Sequence, residues 1–251
     1  MSDAILPDNK ARLLACSPNW RRPIVMHQRW ENLLFLHWRV PQDRIQETLP
    51  PGLTVDTFNG DAYLGVVPFF MRNVRLIGTP VLPWWSFFQE LNVRTYVFDH
   101  GGTPGVWFYS LDCNRAWAAA GARVLGALPY FLAEMNAQRG DCIEYSCRRR
   151  GTSAVARFCY RATSEERDTA PESLEFFFLE RYYLFAYRRA MRSLLRGQVA
   201  HTPYRFRDVD LMEWALNPLQ LAGFKEIESA PDHVCVVDGL NVNIFGQERV
   251  L

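Results

Sequence analysis

The sequence predicts an α+β domain, largely of antiparallel strands joined by hairpins and flanked by a few helices. Three observations carry that prediction. Short runs rich in β-branched and aromatic residues recur along the chain, turn dipeptides such as Asn59-Gly60 and Asp238-Gly239 separate several of them, and strand–helix–strand alternation is absent. At 251 residues, the chain suits one large domain. Residues 1–22 read as an N-terminal arm or short helix, and 23–251 as the domain.

Taken in order, Leu33–Val40 is an apolar strand, followed by a helix-like Gln42–Thr48 and a turn at Pro50-Pro51-Gly52. Thr54–Phe58 and Ala62–Phe70 flank Asn59-Gly60 and read as a hairpin. Pro80–Pro83 is a loop, Glu90–Phe98 a strand, Gly101-Gly102 a turn, and Val106–Leu111 the return strand. Arg115–Leu128 is the strongest helix: it is rich in alanine and stopped by Pro129. Ile143–Arg149 and Ala154–Arg161 form a hairpin around Arg150-Gly151-Thr152. Pro171–Arg196 reads two ways: Pro171 and Ser173 open a helix, while Tyr182–Tyr187 and Leu194–His201 equally suit strands. A short helix is therefore placed at 172–181 and a hairpin after it, with helix as the alternative over 182–201. His233–Asp238 and Leu240–Phe245 read as a last hairpin, turning at Asp238-Gly239.

Composition excludes several function classes. With 28 basic and 27 acidic residues, the chain lacks the concentrated positive charge that nucleic-acid binding needs. No apolar run reaches the ~18–20 residues of a membrane helix, and no secretory leader is visible, so a cytoplasmic protein is expected. The cysteines at 16, 113, 142, 147, 159 and 235 lack Cys-x-x-Cys spacing and read as reduced thiols, some of them buried. Phosphate-binding glycine loops and paired histidines are also missing, so no cofactor or metal is expected. Only Lys10 and Lys225 are lysines, which leaves two candidates for any Schiff-base chemistry.

The most informative segment is Glu90-Leu91-Asn92-Val93-Arg94-Thr95-Tyr96. Alternation puts Glu90, Asn92, Arg94 and Tyr96 on one side of the strand. That row is either an ordinary solvated face or the lining of a pocket, where a buried acid beside a guanidinium grips a polar ligand. A second cluster is Glu180-Arg181-Tyr182 with His201: a hairpin over 182–201 brings Tyr182 near His201. His37 sits in an apolar strand, where a packed and hydrogen-bonded histidine is the ordinary outcome. Arg148-Arg149-Arg150 reads as a solvated hairpin tip. Trp84, Trp85, Phe87 and Phe88 read as core packing, with a pocket lid as the alternative. The same apolar stretch is compatible with a homo-oligomer contact without demanding one.

Several linked motifs occur together: Leu33-Leu34-Phe35-Leu36-His37-Trp38, Leu49-Pro50-Pro51-Gly52-Leu53, Glu90 to Tyr96, Ser110-Leu111-Asp112, Ala122-Arg123 with Leu128-Pro129-Tyr130, and Leu179-Glu180-Arg181-Tyr182. In this order, over about residues 20–248, the chain resembles the YqjF-like family of uncharacterised bacterial proteins, itself similar to the acetoacetate decarboxylase-like superfamily. The resemblance implies a strongly curved, cone- or barrel-like antiparallel sheet enclosing a small-molecule pocket. It also implies a departure from decarboxylase chemistry. Against the decarboxylases' Pro-Lys-Lys segment, Pro129 keeps the proline while Tyr130 and Phe131 take the lysine positions. One pocket glutamate matches Glu90, the other falls on Gly65, and the substrate arginine falls on Glu31, with Arg29 two residues away. The expected site therefore has Glu90 and Tyr130 as catalytic groups, with Arg94, Asn92, His37, Arg181, Tyr182 and His201 as ligand contacts. A small oxo or carboxylic compound is expected, bound for transformation without a lysine adduct or for sensing alone.

Overall fold

A computed structural model describes residues 5–119 and 127–250 of the chain. The strands, in chain order, are β1 (Ile24–Val40), β2 (Leu53–Val55), β3 (Ala62–Leu76), β4 (Phe88–Asp99), β5 (Pro104–Cys113), β6 (Tyr130–Arg139), β7 (Ile143–Arg149), β8 (Ala156–Ala162), β9 (Arg167–Asp168), β10 (Tyr183–Arg188), β11 (Ser193–His201), β12 (Arg205–Phe206), β13 (Val209–Glu213), β14 (His233–Phe245) and β15 (Glu248–Arg249). The helices are α1 (Asn9–Ala15), α2 (Gln42–Gln46), α3 (Leu174–Leu179) and α4 (Asn217–Leu221). Residues 116–119 are also helical, and the rest of the expected 115–128 helix lies largely outside the described residues.

Seven strands pair in a closed circuit, β4-β5-β10-β11-β14-β1-β3 and back to β4. The sheet is strongly curved and largely antiparallel, as expected, with β5 pairing in parallel with both β10 and β6. The strand β5 forks. Its Val106 and Trp107 meet β10 to close the ring, while Leu111 to Cys113 meet β6 and begin a second layer, β6-β7-β8-β13.

Alternation then sorts the side chains into two cores. Leu33, Phe35, Tyr63, Val67, Phe69, Tyr96, Cys235 and Val237 point into the ring, where Phe177 and Phe178 of α3 join them. Leu34, Leu36, Trp38, Leu64, Val66, Leu91 and Val93 point outward and are covered by Ala133, Tyr145, Phe158 and Tyr160 of the second layer. Burying α3's aromatic rings contributes roughly 2–3 kcal/mol per side chain. Ser173 caps that helix, accepting from the Phe176 amide at 3.0 Å.

Two expected hairpins are corrected. Asn59 and Gly60 do form a tight turn with φ of 51° and 88°, but it closes only the single bridge Phe58–Asp61, and β2 pairs with β4 instead. Asp238-Gly239 is no turn at all: β14 runs through it in unbroken register with β1. A Cβ at Gly239 would lie 2.7 Å from the Trp30 carbonyl oxygen, so close backbone approach is what this glycine allows. Gly239 pairs with Glu31, and the next residue of β1, Asn32, has φ of 50°. Here both strands place two successive residues outward, so Trp30 and Leu240 face inward on one side of the kink and Leu33 and Val237 on the other.

The N-terminal arm is docked. Arg12 on α1 reaches Asp56 with two contacts of 2.6 Å, and Asp56 also holds Arg181 at 2.7 Å. The aromatic loop departs from the core-packing expectation: Trp84 is 80% exposed, and Trp85 is exposed while its ring sits 5.2 Å from that of Trp117. Phe88, at the start of β4, is buried.

Candidate functional site

The polar row of β4 faces the inside of the ring. Leu91 and Val93 pack into the outer core, so Glu90, Asn92, Arg94 and Tyr96 point the other way, and Glu90, Asn92 and Tyr96 are buried. A solvated strand face is thus excluded.

At one end of the row, the Tyr130 hydroxyl donates to Glu90 Oε2 at 2.8 Å. Tyr130 is the first residue of β6, and the pairing of Leu111 with Tyr130 at the β5 fork puts it there. Burial pushes the Glu90 carboxyl up to about 7; hydrogen bonds from Tyr130 and Asn92 oppose that rise, and the Asp112 charge adds to it. Burial and the neighbouring Glu90 charge hold the Tyr130 hydroxyl well above its ordinary value, so it stays a donor. Tyr145 of β7 donates to the Glu90 carbonyl oxygen at 2.9 Å and fixes the strand from outside the ring.

Arg94 occupies the middle of the row. Its guanidinium lies 4.9 Å from the Phe35 ring centre and 5.7 Å from that of Tyr96. Its Nε and Nη2 are buried without a hydrogen-bond partner, as are Asn92 Oδ1 and Ser110 Oγ. Buried donors of this kind are costly when left unmet. Gly65 makes room for the group: a Cβ there would meet His37 Cδ2 at 3.3 Å and Arg94 Cγ at 3.4 Å.

The model of the family DUF2071, described as an uncharacterized conserved protein, matches residues 27–241. This chain belongs to that family. The uncharacterized protein YqjF of Bacillus subtilis (strain 168) is 35% identical over 188 residues, which cover 74% of this chain and 76% of that protein. Among solved structures, the fold is similar to the enduracididine biosynthesis enzyme MppR complexed with pyruvate, with a TM-score of 0.63, 16% identity and 91% of each chain covered. It is also similar to an acetoacetate decarboxylase-like enzyme from Sphingomonas wittichii RW1 (TM-score 0.61, 15% identity, 91% of this chain and 94% of that one). A third likeness is to acetoacetate decarboxylase from Legionella pneumophila subsp. pneumophila str. Philadelphia 1 (TM-score 0.60, 14% identity, 100% of this chain and 98% of that one). The decarboxylase-like fold is therefore shown.

In this DUF2071 protein both lysines are exposed, Lys10 on α1 and Lys225 beyond α4. Glu31, which the sequence register puts at the substrate-arginine position, points out of the ring among Arg29, Arg72 and Arg139. Its inward neighbour is Trp30.

The other anticipated contacts divide. His37 is fully buried, stacked 3.6 Å from Phe178 and bonded to Tyr96 Oη at 2.7 Å. The hairpin β10–β11 brings Tyr182 and His201 together with ring centres 4.1 Å apart. His201 directs Nδ1 to the Thr202 carbonyl at 2.8 Å, and burial pushes its imidazole down to about 4, so Nε2 is a buried acceptor with no partner. Arg181 is different. Its charge is matched by Asp56 and its Nε donates to the Phe177 carbonyl at 2.6 Å, so it joins α1, α3 and the ring rather than offering a free cation.

Sequence reasoning missed Arg149, which is no solvated tip: it forms a two-pronged ion pair with Asp112 at 2.7 and 2.9 Å and covers the Phe131 ring at 4.2 Å. It also missed His233, which stands next to His37, and Glu175, which faces His233. No local pattern marks these residues, because each partner lies far away along the chain. Among the described residues, no group of three or more His, Cys, Asp or Glu side chains is placed to hold a metal, and no helix is long and apolar enough to cross a membrane.

Proposed function

We propose that the ring interior binds a small oxo-carboxylic compound and moves a proton on it without a lysine adduct. The carrying observation is the Arg94 guanidinium, buried with two unmet donor nitrogens on the same strand face as the Glu90–Tyr130 pair. A carboxylate meets a guanidinium in that geometry with paired hydrogen bonds. Glu90, pushed up to about 7, is poised to accept and return a proton near neutral pH. Tyr130 keeps its proton and serves as donor to the oxygen on which charge builds. Enolisation, and the lyase, hydratase or isomerase reactions that begin with it, fit this set. The fold neighbour complexed with pyruvate supports a 2-oxo acid as the probe.

The test is calorimetric titration with pyruvate together with deuterium wash-in at its methyl group in D₂O. Arg94→Gln is expected to weaken binding by at least about tenfold, the loss of one charge-assisted pair. Glu90→Gln is expected to abolish wash-in and retain binding. Binding unaffected by Arg94→Gln would remove Arg94 from the site. A second reading, a binding module without turnover, draws on the same unmet donors and the acceptor Asn92 Oδ1, since complementarity alone accounts for them. Tight binding with no wash-in in the wild-type protein selects that reading.

A further inference from the structure

A line of four side chains connects the ring interior to the surface. Tyr96 of β4, buried beside Arg94, contacts His37 Nε2 of β1 at 2.7 Å. His37 Nδ1 faces His233 Nδ1 of β14 at 3.1 Å. His233 Nε2 faces Glu175 Oε1 of α3 at 3.6 Å, and both of these side chains are partly exposed. The His37 ring is clamped in place by Phe178 on one face and by the bare Gly65 at its edge.

We propose that Tyr96, His37, His233 and Glu175 form a proton line that serves a ligand bound at Arg94, with Tyr96 as its inner terminus. This rests on the ring interior being the ligand site. The geometry permits two states. When His233 is neutral, Glu175 accepts from its Nε2–H, so its Nδ1 is a bare acceptor. His37 must then donate from Nδ1, and its Nε2 accepts the Tyr96 proton. When His233 carries a second proton, its Nδ1–H donates to His37 Nδ1, and His37 Nε2–H donates to the Tyr96 oxygen. The Tyr96 O–H is then released toward the ligand.

The two states differ by one proton. Passing from the charged to the neutral state, Tyr96 gives its proton to the ligand and takes one from His37 Nε2, while His37 Nδ1 takes one from His233. His233 regains a proton from solvent, and the reverse sequence abstracts one from the ligand. Burial, the facing His233 and the Arg94 charge hold His37 well below its ordinary value, so it relays rather than stores charge. The facing His233 ring holds the Glu175 carboxyl down at about 2, which keeps that terminus an acceptor. The charged and titratable groups around the line are Arg94 of β4 beside His37 and Tyr96, Arg181 over the Tyr96 ring with Tyr204 nearby, Cys235 of β14 near Glu175, and the Arg167–Asp208 pair near Glu175.

Long-range ¹⁵N–¹H NMR of the histidine rings in the free full-length protein tests this. The spectra are followed as pH is lowered from about 8 to 5, and the midpoint at which His233 gains its second proton is read directly. His37 is expected to switch from the Nδ1–H to the Nε2–H form with the same midpoint. In His233→Asn, with the fold checked by circular dichroism, the His37 switch is expected to vanish completely. A His37 tautomer that stays fixed while His233 titrates overturns the line, as does a switch that persists in His233→Asn. If that variant does not fold, the wild-type titration decides alone. Because no ligand is used, this outcome is independent of pyruvate binding: a fixed tautomer with Arg94-dependent binding sinks the line and spares the site, and the converse result does the opposite.

Discussion

Tyr130 and Glu90 are 40 positions apart in the chain, yet the tyrosine hydroxyl lies 2.8 Å from the glutamate oxygen. A strand that pairs in parallel at the β5 fork puts it there. The contact gives the buried carboxyl one good donor and leaves most of its desolvation cost in place, which is why the group sits near 7.

That cost has a sign. Burial raises the Glu90 pKa in the folded protein from 4.5 to about 7. Its contribution to stability is therefore full below about pH 4.5 and is lost as pH rises through about 7. Glu90→Gln is expected to be more stable than wild type at pH 8.5, by on the order of 3 kcal/mol at most. The gain is expected to shrink toward zero near pH 4.5. Thermal melts of both proteins across this range check it; a constant offset would show that Glu90 is not the titrating group.

The ligand role proposed for Arg94 carries a folding penalty. Replacing a buried, incompletely satisfied guanidinium by an apolar chain of similar length often stabilises by about 1–4 kcal/mol. Arg94→Met is expected to raise the denaturation midpoint while abolishing pyruvate binding. Loss of both stability and binding would mean that the Phe35 and Tyr96 contacts outweigh the unmet donors.

Asp56 is the single carboxylate between Arg12 and Arg181, and all three side chains are buried. Asp56→Asn leaves two buried guanidinium groups without their anion and is expected to cost about 3–5 kcal/mol. It should also free the N-terminal arm, seen as early proteolytic cleavage ahead of β1. Urea melts combined with limited proteolysis measure both effects.

Gly239 tests the paired kink. A methyl group 2.7 Å from the Trp30 carbonyl must push β14 away from β1. Gly239→Ala is expected to destabilise by about 1–3 kcal/mol, the usual cost of overpacking. Gly60→Ala meets no atom within 4 Å, so only its φ of 88° opposes the substitution, at about 1–2 kcal/mol. Equal midpoints for wild type and Gly239→Ala would exclude the close approach.

Alternation put Glu90, Asn92, Arg94 and Tyr96 on one side of β4 but left open whether that side faced water or the interior, and the meeting of Tyr182 with His201 followed from recognising one hairpin. Strand period and local turn chemistry carry such facts in a few adjacent letters. The sequence misled where one motif serves two geometries: Asp238-Gly239 spells a turn, but here it marks backbone crowding inside a strand. It was silent where the partner is distant. Arg149 and Asp112, or His37 with His233 and Glu175, meet only after the ring has closed, and no periodicity announces them. Arg181 looked like a ligand contact because the compensating Asp56 lies 125 positions away.

The kink at Asn32 and Gly239 also divides β1 into two stretches with opposite parity. Odd-numbered residues look inward from Leu33 onward, and even-numbered ones from Trp30 back to Met26. Simple alternation carried back from Leu33 without the kink would turn Met26 and Trp30 out to water and draw Arg29 and Glu31 in. The double outward step thus lets one continuous strand present Met26 and Trp30 at one end of the ring and Phe35 and His37 at the other, with neither set turned out to water.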